Sequence, residues 1–205
     1  LPCGIAEKIA SFVCAALIVF SVASDLSSRL NAAVFQLDAK TVLFIAVAVI
    51  AAISLVVSSF AKKDAPATPM VSLLSFAPVI YCALCVLYLY FDQAVAVNSP
   101  AKFICQLTYL SFMLMFCAEA GLSLGRGKLY PRYIFALCCA VAIGGAGAVS
   151  SIAVTVTGAP CGAFTGAEAF VKVGLFLYSC VRFARVTALE LESEEPELEE
   201  VFEEE

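Results

Sequence analysis

Six apolar runs, at about 7–24, 41–61, 70–91, 103–124, 133–157 and 164–183, occupy most of this chain, and each is close to the ~20 residues a helix needs to cross a hydrocarbon core. That pattern predicts an all-α, polytopic transmembrane helical bundle of six spans. Composition agrees: 62% of residues are apolar and 14% charged, against roughly 45–50% and 25% in globular domains. The connections carry turn-forming residues, with Lys62-Lys63-Asp64-Ala65-Pro66, Asn98-Ser99-Pro100, Gly125-Arg126-Gly127-Lys128 and Gly158-Ala159-Pro160 marking the breaks between spans. They are too short for a second domain, so the expected organisation is a bundle over 1–189 and a tail over 190–205.

The tail, ELESEEPELEEVFEEE, holds ten glutamates. Without them the remaining chain has twelve Lys and Arg against seven Asp and Glu, so the net charge of −5 describes the tail and not the body. Lys and Arg near span ends stay on the cytoplasmic side. Placing both termini there puts Lys8, Lys62, Lys63, Arg126, Lys128, Arg132, Arg182 and Arg185 inside, and Arg29, Lys40, Lys102 and Lys172 outside. This bias predicts both termini cytoplasmic. The density of like charge predicts a disordered acidic C-terminal tail. Leu198, Val201 and Phe202, spaced i, i+3, i+4, supply one apolar face with which it can engage a basic cytoplasmic protein or its own inner loops at Arg126, Lys128 and Arg132.

The first span has a second reading. Lys8, the apolar stretch Ile9 to Phe20 and the small residues Ser21 and Ala23 also match a signal peptide, whose cleavage would leave Ser24 first; the uncleaved helix is preferred. Asp25 to Asp38 carries Leu26, Leu30, Ala33, Val34 and Leu37 on one stripe, which predicts an amphipathic helix along the outer interface.

Histidine is absent, which excludes His-ligated metalloproteases and haem proteins and His-dependent phosphatases. Most of the ten cysteines lie in apolar runs and read as small buried residues. Cys82-x-x-Cys85 and Cys138-Cys139 have no local base or cation to make a thiolate. No catalytic constellation, metal site, cofactor site or nucleic-acid-binding pattern is expected, and the protein is read as a non-enzyme.

Three intramembrane charges are candidates for an ion or solute site. Glu168 and Lys172 lie four residues apart on one helix face. Their structural reading is a capping box of Thr165 with Glu168, with Lys172 snorkelling outward. Glu119 ends the fourth span, where an acid opposes the helix dipole and calls for a cationic partner, either Arg126 or another helix. On the fifth span Ala140, Gly144, Gly147, Ala148 and Ser151 form small-residue ridges expected to pack helices closely within the bundle.

The stretch MLMFCAEAGLSLGRGKLYPRY, residues 113–133, resembles bacterial six-helix integral membrane proteins of unknown activity, a resemblance that implies a bacterial inner (plasma) membrane and no catalytic residue. Size and helix count are also similar to the substrate-binding components of energy-coupling-factor vitamin transporters, a likeness of fold alone. The first span does not match their alanine-rich coupling motif. The function expected is that of a non-enzymatic membrane subunit, adaptor or regulator. The alternative is a small-solute transporter or substrate-binding transporter subunit that uses Glu119, Glu168 and Lys172.

Overall fold

The computed structural model describes residues 4–31, 38–60, 69–92, 99–124, 130–157 and 166–203, and every regular element among them is α-helical. In chain order these are α1 (Ile5–Leu30), α2 (Ala39–Phe60), α3 (Pro69–Leu74), α4 (Ala77–Phe91), α5 (Pro100–Ser123), α6 (Tyr130–Thr157) and α7 (Gly166–Glu203). Five stretches, Ile5–Ser28, Ala39–Phe60, Met70–Phe91, Pro100–Ser123 and Tyr130–Thr157, are long and apolar enough to cross a membrane. The predicted sixth span is the first half of α7, which is long enough but carries Glu168, Lys172 and Arg182.

Each span packs on its sequence neighbours, and α7 returns to α1, so the helices close into a ring in chain order. Short connections force neighbours to run antiparallel. One end of the bundle therefore collects Glu7, Ser123, Tyr130 and Arg182, and the other collects Leu30, Lys40, Asp92, Lys102 and Glu168. The interior is filled by Cys14, Ile18, Tyr81, Cys82, Tyr109, Phe112, Met115, Leu137 and Leu175. Large apolar side chains such as Ile53, Phe103, Phe135 and Val149 are more than 50% exposed on the outside, where the solvent of such a surface is lipid.

The third span is broken, but not at the proline itself. Pro78 stands in the first turn of α4, where its missing N–H is tolerated, and the turn at Ser75–Phe76 separates it from α3. Proline removes the helical donor that would serve the carbonyl four residues back, here Leu74. The Ser54 hydroxyl of α2 donates to that carbonyl at 2.7 Å, so the break is satisfied from the neighbouring helix. Ser54→Ala is expected to cost about 1–2 kcal/mol, the price of an unpartnered buried carbonyl. In a Pro78→Ala background, which restores an N–H at that position, most of the cost should disappear. Thermal unfolding of the four proteins in detergent measures the coupling, and additive effects would contradict this account.

The small residues of α6 lie on its inward faces. Ala140, Gly144, Gly147, Ala148 and Ser151 are all buried. A Cβ on Gly144 would lie 2.5 Å from the Phe112 ring of α5, and one on Gly145 would lie 2.7 Å from the Phe176 ring of α7. Helix α6 is thus held closely against α5 by one glycine face and against α7 by the other. Across the α7–α1 seam, Gly174 brings the Cys14 backbone within 3.3 Å of a would-be Cβ.

Two expectations about the helical elements differ from the structure. Asp25 to Leu30 is the last part of α1 and not a separate interfacial helix, because nothing in Ser24–Leu30 breaks the helix already formed; residues 32–37 lie outside the described residues. The tail was expected to be disordered, whereas the backbone of α7 continues as helix to Glu203. Extending an existing helix avoids the cost of nucleation, and Glu and Leu are good helix formers. The side chains of residues 189–203, including Leu198, Val201 and Phe202, lie outside the described set.

Candidate functional site

The most elaborate polar centre joins α1, α5 and α7 around Arg182. Its Nη1 donates to Glu7 Oε1 at 2.9 Å, its Nη2 is ion-paired with Glu119 Oε1, and its Nε donates to the Tyr178 hydroxyl at 3.1 Å. Tyr178 Oη in turn lies 2.9 and 3.1 Å from the two Glu119 carboxylate oxygens, to which it donates. A guanidinium suits this task because its donors lie in a rigid planar fork that reaches two carboxylates and a phenol in different directions at once.

Local sequence explains how each group is presented. Tyr178 and Arg182 are four residues apart on α7 and so share a face. Glu7 sits at the third position of α1, and its Oε2 accepts the Gly4 backbone N–H at 2.6 Å. That is one half of a capping box, and it fixes the carboxylate whose other oxygen receives Arg182. Glu7 is 2% exposed and Arg182 8%, whereas the Glu119 side chain is 21% exposed. The centre is closed on the α1 side and reachable past Glu119.

Glu119 therefore finds its cation on another helix. Arg126, the local candidate, lies outside the described residues. Glu7, Tyr178 and the bridging role of Arg182 were not foreseen, because Glu7 and Arg182 are separated by nearly the whole chain and nothing in one sequence ties them together.

Lys172 occupies a second polar cluster, ten residues earlier on α7 and so roughly 15 Å from Arg182 along the helix axis. The expectation that it snorkels outward is wrong: it is fully buried and points across the α5–α6 seam. Its Nζ donates to Cys105 Sγ at 3.2 Å and to Ser151 Oγ at 3.3 Å and lies 5.5 Å from the centre of the Tyr109 ring. Snorkelling fails because the side chain leaves α7 on the face that packs against α5 and α6. Glu168 lies within electrostatic reach of Lys172, Asp25 and Asp92, and its buried Oε2 has no hydrogen-bond partner among the described residues. Its proposed capping partner Thr165 is outside those residues. Nearby, the buried Lys102 donates to the Asp92 carbonyl at the end of α4, at 2.6 Å, where a cation favours the helix dipole.

Glu119, Glu168 and Lys172 thus belong to two centres at different depths. No family model, curated protein or solved structure matches the chain. The site has to be read from its own geometry.

Cys82 and Cys85 are free and buried. The fold brings both Glu168 and Lys172 within electrostatic reach of Cys85, whose thiol also adjoins the Tyr81 and Tyr109 hydroxyls, so no net cationic surrounding replaces the base missing from the local sequence. Cys138 is exposed and Cys139 half-buried. Among the described residues, no group of three or more His, Cys, Asp or Glu side chains is arranged to hold a metal ion.

Proposed function

We propose that this protein is a non-enzymatic membrane subunit or adaptor whose bundle anchors α7 and whose acidic extension of α7 engages a basic cytoplasmic protein. The observation that carries this reading is the use of the interior charges. Glu7, Glu119 and Arg182 tie three helices together, and Lys172 ties α7 to α5 and α6. A solute pathway through Glu119, Glu168 and Lys172 requires them around one cavity, and roughly 15 Å of helix between the two levels weighs against it.

The Lys and Arg bias places the Glu7 end on the cytoplasmic side, which directs the tail to the cytoplasm directly beyond the Arg182 centre. Helical continuity through α7 gives a partner that grips the tail a direct mechanical connection to that centre. Anionic lipid headgroups repel ten glutamates, so a basic protein surface is the fitting target.

Reporter fusions after Glu205 and in the Lys62-Lys63 loop should give cytoplasmic signals, and one near Asn98 the opposite. Crosslinking in intact cells should then capture a partner with the full tail. Truncation after Leu189 and the pair Leu198→Ala, Phe202→Ala should each weaken capture, and added salt should weaken it after lysis. Equal capture by all three proteins would remove the adaptor reading.

A further inference from the structure

Lys172 of α7 and Cys105 of α5 meet inside the bundle although α6 stands between their helices in the ring. Lys172 Nζ lies 3.2 Å from Cys105 Sγ. Two further contacts hold the nitrogen there, the Ser151 hydroxyl of α6 at 3.3 Å and the Tyr109 ring of α5, whose centre is 5.5 Å away. Lys172 is 0% exposed and Cys105 1%. Reacting atoms held about 3–3.5 Å apart gain the rate advantage of an intramolecular reaction. The amine is a nucleophile, and the sulfur becomes its electrophile once it carries an oxygen, since a sulfenic acid condenses with nitrogen to give a sulfenamide.

We propose that Cys105 and Lys172 form a modification site at which hydrogen peroxide generates a sulfenamide, a covalent Sγ–Nζ bond between α5 and α7. In the first step Sγ attacks one oxygen of the peroxide. The S–O bond forms, the O–O bond breaks, and the departing hydroxide takes the proton that thiol and amine share and leaves as water. Sulfur is oxidised by two electrons and the peroxide is reduced. In the second step the Nζ lone pair attacks sulfur, so that the S–N bond forms and the S–O bond breaks. The hydroxide released takes one N–H proton and leaves as a second water, and the protein has lost two hydrogen atoms in all. Burial admits a small uncharged oxidant and excludes a bulky thiol such as glutathione. The amine already in contact intercepts the sulfenic acid before a second peroxide carries it to the sulfinic acid. The flexible four-carbon stem of lysine lets Nζ close the gap without moving either helix. This inference does not rest on the adaptor reading, since it concerns only the bundle and survives loss of the tail.

The test exposes the purified full-length protein in detergent to hydrogen peroxide, removes the excess with catalase, blocks the remaining thiols with a maleimide during unfolding, and maps the peptides by mass spectrometry. The expected result is a pair of peptides joined through Cys105 and Lys172, with the mass of the two less two hydrogen atoms, accounting for most of the oxidised Cys105. Dithiothreitol should separate them again. Lys172→Met, which keeps a flexible stem but has no amine, should give no joined pair. Its Cys105 sulfenic acid should instead be trapped by dimedone, several-fold more than in the parent. Should that variant not fold, the parent decides alone, because the joined pair is read from it directly. Cys105 left unmodified in the parent, carried to the sulfinic acid without a link, or joined to Cys85 or another cysteine as a disulfide would overturn the proposal. So would equal trapping by dimedone in parent and variant.

Discussion

Replacing Arg182 by alanine should destabilise the bundle by about 3–5 kcal/mol, the range found when one partner of a buried ion pair is removed and the other charge is left behind. The loss is unusually broad because one side chain serves Glu7, Glu119 and Tyr178 together. The lower part of that range is the better expectation, since Glu119 is 21% exposed and water can relieve part of its charge. Glu119→Gln should cost less, because Arg182 keeps Glu7 and Tyr178. Arg182→Lys should behave much more like alanine than like arginine: an ammonium is a point donor on a flexible stem and cannot reproduce the planar fork. Heat-induced loss of the monodisperse peak in detergent ranks the three variants. A decisive control is the triple change Arg182→Ala, Glu7→Gln, Glu119→Gln, which removes the cation and both uncompensated carboxylates. It should recover much of the stability lost by Arg182→Ala alone, and no recovery would mean that the centre holds the helices through packing and not through charge.

The helices were legible because runs of ~20 apolar residues leave few alternatives in lipid, and the breaks between them carry Pro, Gly and charge. The partners within the bundle were not. Sequence spacing places Tyr178 and Arg182 on one face of α7, but which helix that face meets depends on the closing of the ring, which brings α1 beside α7. Glu119 could be recognised as needing a cation, and its true partner is sixty-three residues away. The same limit explains Lys172: depth along a helix is readable from the span boundary, whereas the direction in which a side chain leaves the bundle is not. The small residues of α6 were readable in kind, since close helix approach in lipid requires them. Their division between the α5 and α7 seams was settled only by the neighbours of Gly144, Gly145 and Gly147. The capping box expected at Glu168 has its half-counterpart at Gly4 and Glu7, a position with no Ser, Thr, Asp or Asn to announce it.

Of those three glycines, Gly147 should tolerate a side chain least. A Cβ there would overlap Thr108 Oγ1 and lie 2.8 Å from both Thr108 Cβ and Cγ2, and Thr108 is itself fully buried. Rotating Thr108 offers only partial relief, because its Cβ does not move with χ1. Its hydroxyl also donates to the Ile104 carbonyl at 2.8 Å, a bond that rotation would sacrifice. Overpacking of a tight core costs about 1–3 kcal/mol, so Gly147→Ala should fall at the upper end of that range despite adding a single methyl group. Gly147→Val, with two further carbons against the same wall, should prevent α5 and α6 from closing and reduce the yield of folded protein. The contrast with Gly144 isolates the cause. A Cβ at Gly144 meets the edge of the Phe112 ring, which can turn about two side-chain bonds, so Gly144→Ala should cost less than Gly147→Ala. Thr108→Ala combined with Gly147→Ala should recover part of the loss, since Oγ1 and Cγ2 are then gone and only the Cβ contact remains. Thermal unfolding of these variants in one detergent provides the ranking. If Gly147→Ala melts with the parent, α5 and α6 are not locked at this crossing, and the close approach that presents Ser151 to Lys172 one turn further along α6 is not enforced by glycine.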